Sequence, residues 1–295
     1  MMTRFQSLAA AVAFVALAPV AFAQQQDFSA VQIKATKLAD NFYRLEGQGG
    51  VIGALVGPDG VFMVDSQFAP LTEKVAAAIK QITDRPIKFL VNTHQHGDHT
   101  GGNENFAKLG VTLISRDELR GRLAATTGRG AVPPAALPML TYKGAITLHM
   151  NGEEVRLIPV PAAHTDGDTM IHFVKANVLM TGDFYRSAGY PNIDRANGGS
   201  LKGMLDGFNT VIDIATPTTK IVPGHGAVVD EKAVAEHRDM AIALRDRVAA
   251  LMKKGQTQEQ IVASKPTADY DAKVPQPEKT GERFIGQLYG ELGGK

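Results

Sequence analysis

From Val31 onward the chain runs in short stretches whose positions are alternately apolar and polar, or wholly apolar. Gln32–Leu38, Asn41–Glu46, Val51–Val56 and Val61–Val64 have the length and the β-branched or aromatic content of strands. Asp59-Gly60, between the last two, is a hairpin signal, and Val61–Val64 ends in a carboxylate, Asp65. After Pro70 the period lengthens. Leu71, Val75, Ile79 and Ile82 share one face, predicting a helix that opens at the proline. Ile87–Val91 reads as a strand, a helix is expected from near Asn103, and Val111–Ser115 and Arg116–Ala125 predict a strand and a polar helix.

Residues 126–140 carry three prolines and two glycines and predict a loop joining two halves. A second strand set follows at Ala145–Met150, Glu154–Pro159, Met170–Val174 and Val178–Thr181. Then come a helix from Ser200 to about Ile214, a strand at Lys220–Val222 and a long helix from Asp230 to Lys254, stopped by Gly255. Thr257 and Gln260 form a capping-box signature. Residues 265–280 read as loop and Phe284–Leu292 as a closing helix. The halves repeat one theme, strands and then a helix. Two α/β layers packed sheet to sheet, helices outside, are the expected architecture.

Composition narrows the setting. Arg4, an apolar run from Leu8 to Val20 and Ala21-Phe22-Ala23 make a secretory signal peptide over residues 1–23, with cleavage after Ala23. The run is shorter than the ~18–20 residues a membrane span needs, so a soluble, periplasmic protein over residues 24–295 is expected. The formal net charge of +1 falls to zero when Arg4 is removed, which offers no field for nucleic acid or an anionic membrane. The expected partner is a small-molecule substrate. With no cysteine, disulfides and a thiol nucleophile are excluded, and any metal ligand must be His, Asp or Glu.

Chemistry concentrates after Ile87–Val91, in His94-Gln95-His96-Gly97-Asp98-His99. Neutral imidazoles and a carboxylate are good metal ligands and poor core filler. Alternation along an extended segment lets His94 and His96 point the same way, while Asp98 and His99 aim at a neighbouring point. His164, Asp183 and His225 each follow an apolar stretch and lie among small residues. His149, His172 and His237 sit inside periodic segments and read as surface or packed side chains.

His-x-His-x-Asp-His, followed in order by His164, Asp183 and His225 and preceded by Asp65, resembles the metallo-β-lactamase superfamily over nearly the whole mature chain. The resemblance implies a four-layer αββα sandwich with a two-metal site at its edge. It implies that His94, His96 and His164 hold one Zn²⁺. Asp98, His99 and His225 would hold a second, with Asp183 bridging or binding it. Asp65 would orient a ligand from behind. The implied chemistry is attack of a metal-activated water on a carbonyl carbon, with Asp98 orienting the nucleophile. An all-nitrogen and oxygen ligand set also admits Fe or Mn.

The substrate is less decided. Metallo-β-lactamases of the commonest subclass carry Cys where Asp183 stands and lack a His at the position of His99. The pattern here is that of thioesterases and lactonases of the superfamily. Arg186, three residues after Asp183, and Asn197, three before the expected N-cap Ser200, match the lactamases' substrate-contacting positions. Phe68, Tyr185, Tyr190 and the 126–140 loop are expected to wall the cleft. Export favours a lactam or lactone over a cytosolic thioester. The reading is therefore a β-lactamase-like hydrolase opening a cyclic amide, with lactone or (thio)ester hydrolysis as the alternative. A non-catalytic metal-binding accessory protein is the third reading.

Overall fold

The structure is a computed structural model, and it describes residues 26–294. The signal-peptide expectation falls on residues 1–23, outside the described residues. Among the described residues no helix is long and apolar enough to cross a membrane.

Seven strands form the first sheet in chain order: β1 (Lys34–Ala39), β2 (Phe42–Glu46), β3 (Ile52–Leu55), β4 (Val61–Val64), β5 (Ile87–Val91), β6 (Thr112–Arg116) and β7 (Leu140–Tyr142). Pairing is antiparallel up to β4 and parallel from β4 to β7. The second sheet runs β12-β11-β10-β9-β8, built from β8 (Ile146–Met150), β9 (Glu153–Pro159), β10 (Thr169–Phe173), β11 (Val178–Gly182) and β12 (Lys220–Pro223). Only its β11–β12 pair is parallel.

The sheets pack face to face. Phe42, Leu55, Phe62, Val64 and Val91 of the first meet Leu157, Ile171, Phe173, Met180 and Val222 of the second. The opposite face of the first sheet, with Leu45, Ile52, Met63 and Leu90, is covered by α1 (Thr72–Lys80) and α3 (Asn103–Lys108). Strand β4 shows why its run is uniformly apolar: Phe62 and Val64 face the other sheet, while Val61 and Met63 face the helices. On the outside of the second sheet lie α5 (Leu201–Ile214), α6 (Glu231–Lys253), α7 (Gln258–Ala263) and α8 (Pro277–Glu291). The result is the αββα sandwich. Each large apolar side chain buried in these three layers contributes roughly 1.5–3 kcal/mol.

Local signals account for the helix starts. Ser200 Oγ accepts from Gly203 N at 3.0 Å, Asp230 Oδ1 accepts from Ala233 N at 2.9 Å, and the Thr257–Gln260 capping box is formed. Three boundaries differ from the sequence expectation. Pro70 opens only a 3₁₀ turn (Ala69–Leu71), and α1 ends at Lys80, so Ile82 lies beyond it. The 126–140 segment ends in β7, which pairs with β6, so the halves join after Tyr142. The closing helix begins at Pro277, not Phe284, because proline at the first turn lacks only an N–H the helix would not have used.

Candidate metal centre

Each strand end that faces one edge of the sandwich delivers a polar residue. Asp65 follows β4, His94 to His99 follow β5, His164 follows β9, Asp183 follows β11 and His225 follows β12. Asp98 and His99 belong to a single helical turn, α2 (Gly97–Thr100).

The donor atoms form two adjoining groups. His96 Nδ1 lies 3.1 Å from His94 Nε2 and 3.0 Å from His164 Nε2. In the second group His225 Nε2 lies 3.1 Å from Asp98 Oδ2, and His99 Nε2 lies 3.6 Å from the same oxygen. Asp183 stands between them. Its Oδ1 is 3.3 Å from both His99 Nε2 and His225 Nε2, and its Oδ2 is 3.9 Å from His164 Nε2. The close approach of the chain requires small residues: a Cβ on Gly224 would stand 2.0 Å from Asp183 Oδ1, and one on Gly50 2.2 Å from the His99 ring.

Behind the imidazoles, acceptors fix which ring nitrogen faces the centre. Asp65 Oδ2 takes the Nδ1 proton of His99 at 2.7 Å and the Thr93 hydroxyl at 2.8 Å, while Oδ1 accepts from Thr93 N at 2.7 Å. Thr93 Oγ1 is in turn 3.1 Å from His94 Nδ1, so one carboxylate steadies a ring in each group. Asp194 Oδ2 accepts from His96 Nε2 at 2.8 Å, and the Asn192 carbonyl accepts from His164 Nδ1 at 2.7 Å. Asp168 ties the turn that presents His164, accepting from His164 N at 2.6 Å and Thr165 N at 2.9 Å.

The electrostatics fit cations. Burial holds His94 well below the usual imidazole range and His164 at about 4, so both rings are neutral with a free electron pair. Burial works against charge on His99 and His225 as well, yet neighbouring carboxylates raise both: Asp65 and Asp183 for His99, Asp183 and Asp98 for His225. Those carboxylates are thus arranged for positive charge. Among the described residues, the buried atoms His99 Nε2 and Asp183 Oδ1 have no hydrogen-bond partner. Orphaned donors of this kind, all nitrogen or oxygen, fit one or more metal ions.

All seven expected ligands come together, and Asp65 lies behind them as expected. Arg186 Nη1 is 3.7 Å from Asp183 Oδ2. The Phe68 ring lies beside Gly49, where a Cβ would meet it and Asp98 Cβ, each at 3.0 Å. Asn197 turns its amide onto Asp194, donating to Oδ2 at 2.6 Å, at the 3₁₀ turn that Asp194 caps. Two expected walls of the cleft fail. Tyr185 packs edge-on against Phe208 and His237, and Tyr190 donates to Asp271 at 2.7 Å from full burial; neither walls the cleft. The three remaining histidines stay apart from the centre, His149 exposed, His172 in β10, and His237 packed on Tyr185. Thr93, Asp168, Asp194 and the Asn192 carbonyl were not singled out by sequence. Only Asp168, in His-Thr-Asp-Gly-Asp, carried a local turn signal.

Comparison with known proteins agrees with this geometry. Residues 47–225 match the family description Metallo-beta-lactamase superfamily. A linear primary-alkylsulfatase of a Pseudomonas species is 22% identical over 253 residues, covering 70% of this chain and 48% of that protein. A hydroxyacylglutathione hydrolase of a Polaromonas species is 28% identical over 162 residues, covering 53% and 55%. The chain spans about half the length of these curated relatives. Among solved structures, a metallo-beta-lactamase from Pontibacter korlensis superposes with a TM-score of 0.59 at 20% identity, covering 70% of this chain and 98% of that one. A stereoselective inverting sec-alkylsulfatase from Pseudomonas sp. gives 0.69 at 18% identity, covering 89% and 50%. These likenesses share the fold. The chain belongs to the metallo-β-lactamase superfamily.

Proposed function

We propose that this protein is an exported two-zinc hydrolase that opens a cyclic amide bearing a carboxylate, in the manner of a β-lactamase. The hydrolase reading is carried by the Asp183 carboxylate set between the two donor groups, and the choice of a carboxylate-bearing cyclic amide by the Arg186 guanidinium 3.7 Å from it. His94, His96 and His164 would hold one ion, Asp98, His99 and His225 the other, and Asp183 both. Bound there, zinc supplies Lewis acidity and lowers the pKa of a water from about 15.7 toward neutrality. The remaining work belongs to the chain. Asp98, a quarter exposed beside His225, orients the attacking water, takes its proton and returns it to the leaving nitrogen. Arg186 holds the substrate carboxylate, which its planar fork suits. Asp65, Asp194 and the Asn192 carbonyl keep the imidazole electron pairs turned inward.

Lactone or (thio)ester hydrolysis is the second reading, supported by His99 and the carboxylate at Asp183, and by the hydroxyacylglutathione hydrolase among the relatives. Zinc-loaded protein offered a chromogenic cephalosporin and a simple lactone separates the readings. Cephalosporin turnover, abolished by His96→Ala with the fold intact, is the expected result. Lactone turnover alone moves the assignment to the second reading. Metal binding without turnover of either leaves the accessory role. Export is tested by sequencing the amino terminus of periplasmic protein, where Gln24 is expected first.

A further inference from the structure

We propose that Arg44 is the positioning residue of His225: through the Gly226 carbonyl it fixes the imidazole that closes the second donor group. The proposal rests on the reading of His225 as a metal ligand and adds the side chain by which the first sheet holds a ligand of the second.

His225 differs from the other imidazoles of the centre. Thr93 Oγ1 stands behind His94, Asp194 behind His96, Asp65 behind His99 and the Asn192 carbonyl behind His164. His225 meets Asp98 and Asp183 through Nε2, and among the described residues no protein group pairs with its Nδ1. Its direction is therefore set through its backbone. That backbone is pliant by composition: Gly224 and Gly226 flank the ring, and Gly226 takes φ 107°, a region that glycine enters freely.

Hydrogen bonds hold the segment on both sides of the ring. Gly224 N donates to the Gly182 carbonyl at 2.8 Å, Val51 N to the Gly224 carbonyl at 2.9 Å and Ser187 N to the His225 carbonyl at 3.1 Å. These are backbone to backbone, and they reach no further than His225. Beyond the ring the hold comes from a side chain. Arg44 Nη2 donates to the Gly226 carbonyl at 2.5 Å, across 182 positions of sequence, and Glu46 Oε2 keeps Arg44 Nη1 in place at 2.8 Å.

The place of Arg44 in β2 points the same way. Phe42, Arg44 and Glu46 alternate onto one face of the strand, and Phe42 lies in the core between the sheets. Arg44 follows it on that face with its side chain only 10% exposed. A guanidinium there bears a desolvation cost that an apolar residue of similar length would avoid. What it reaches explains it: the carbonyl next to His225, and the carboxylate that aims it. Arg44, Glu46, Gly49, Gly50 and His225 line one cavity of about 290 Å³, so the guanidinium and the ring share the same space beside the centre.

The test is a double-mutant cycle on zinc affinity, read by competition with a chromogenic chelator. It compares wild type, Arg44→Met, His225→Ala and the double variant, each checked for fold by circular dichroism. Methionine keeps an unbranched apolar stem, and the cavity lets a water take the freed carbonyl. Arg44→Met is expected to weaken zinc binding about ten-fold. In the His225→Ala background the same substitution is expected to change nothing, because the ring it positions is gone. An equal loss in both backgrounds would show a general structural role and overturn the proposal, as would full affinity in a folded Arg44→Met. If His225→Ala itself leaves affinity unchanged, His225 is no ligand, and the metal-centre reading fails at that residue together with the proposal. Arg44→Lys, which keeps the charge but serves one acceptor at a time, should lie between wild type and Arg44→Met. It carries the same cycle if Arg44→Met does not fold.

Discussion

Asp65 is the residue on which both donor groups lean. It sits at φ 61°, a left-handed conformation that Asp tolerates better than most side chains, at the point where β4 stops. That turn brings its carboxylate under Thr93 and His99 at 2.7–2.8 Å. Asp65→Asn keeps the shape but replaces a charged acceptor with an amide. Metal affinity should fall about 10–100-fold, as measured by competition with a chromogenic chelator. Unchanged affinity would show that the His99 tautomer is set by something else. Residues of this kind were legible because the carboxylate ends an apolar strand and its partners lie one strand away. Asp194 was not, since it meets His96 across 98 positions with no period or motif to announce it. That Asn197 donates to Asp194 is equally illegible in the sequence, because a side chain's direction is settled by its neighbour.

At the level of elements, strands read better than their connections. A run buried on both faces, such as Val61–Val64, leaves an unmistakable apolar signature. By contrast β7 is three residues long with two exposed, and the Leu140–Tyr142 stretch offers no pattern to separate it from the proline-rich loop before it. The first turns of helix α8 are hidden in the sequence because Pro277 and Gly281 look like loop residues, although Gly281 is buried against Tyr190 where a larger side chain would crowd the ring. Helix α6 makes a clean control for what the elements contribute apart from the site. Asp230 caps it at 2.9 Å from Ala233 N and is solvent-exposed. Asp230→Ala should cost about 1 kcal/mol in denaturant unfolding while leaving metal content unaltered. A loss of metal in that variant would tie α6 to the centre in a way its contacts do not show.

For the whole molecule, the centre joins the two sheets. Asp65 and His94 to His99 come from the first sheet, while His164, Asp183 and His225 come from the second. Metal bound between them would stabilise the sandwich by about 2.7 kcal/mol at a hundred times its dissociation constant, so chelation of metal-loaded protein should lower Tm by several degrees. Acid acts on the same sandwich by a separate route. His237, packed on Tyr185 and Phe208, is held at about 4 by burial, against 6.5 for an ordinary imidazole. Its folded pKa is depressed, so between pH 6.5 and about 4 the unfolded chain binds the proton more readily. Stability is therefore lost as pH falls through that window, on the order of 2 kcal/mol, and is unaffected above it. His237→Phe removes the titrating group and keeps the aromatic contact. In metal-free protein, urea unfolding at pH 7 and pH 4.5 should show a smaller acid loss for the variant than for wild type. Equal losses would place the acid sensitivity of the fold elsewhere than on this packed ring.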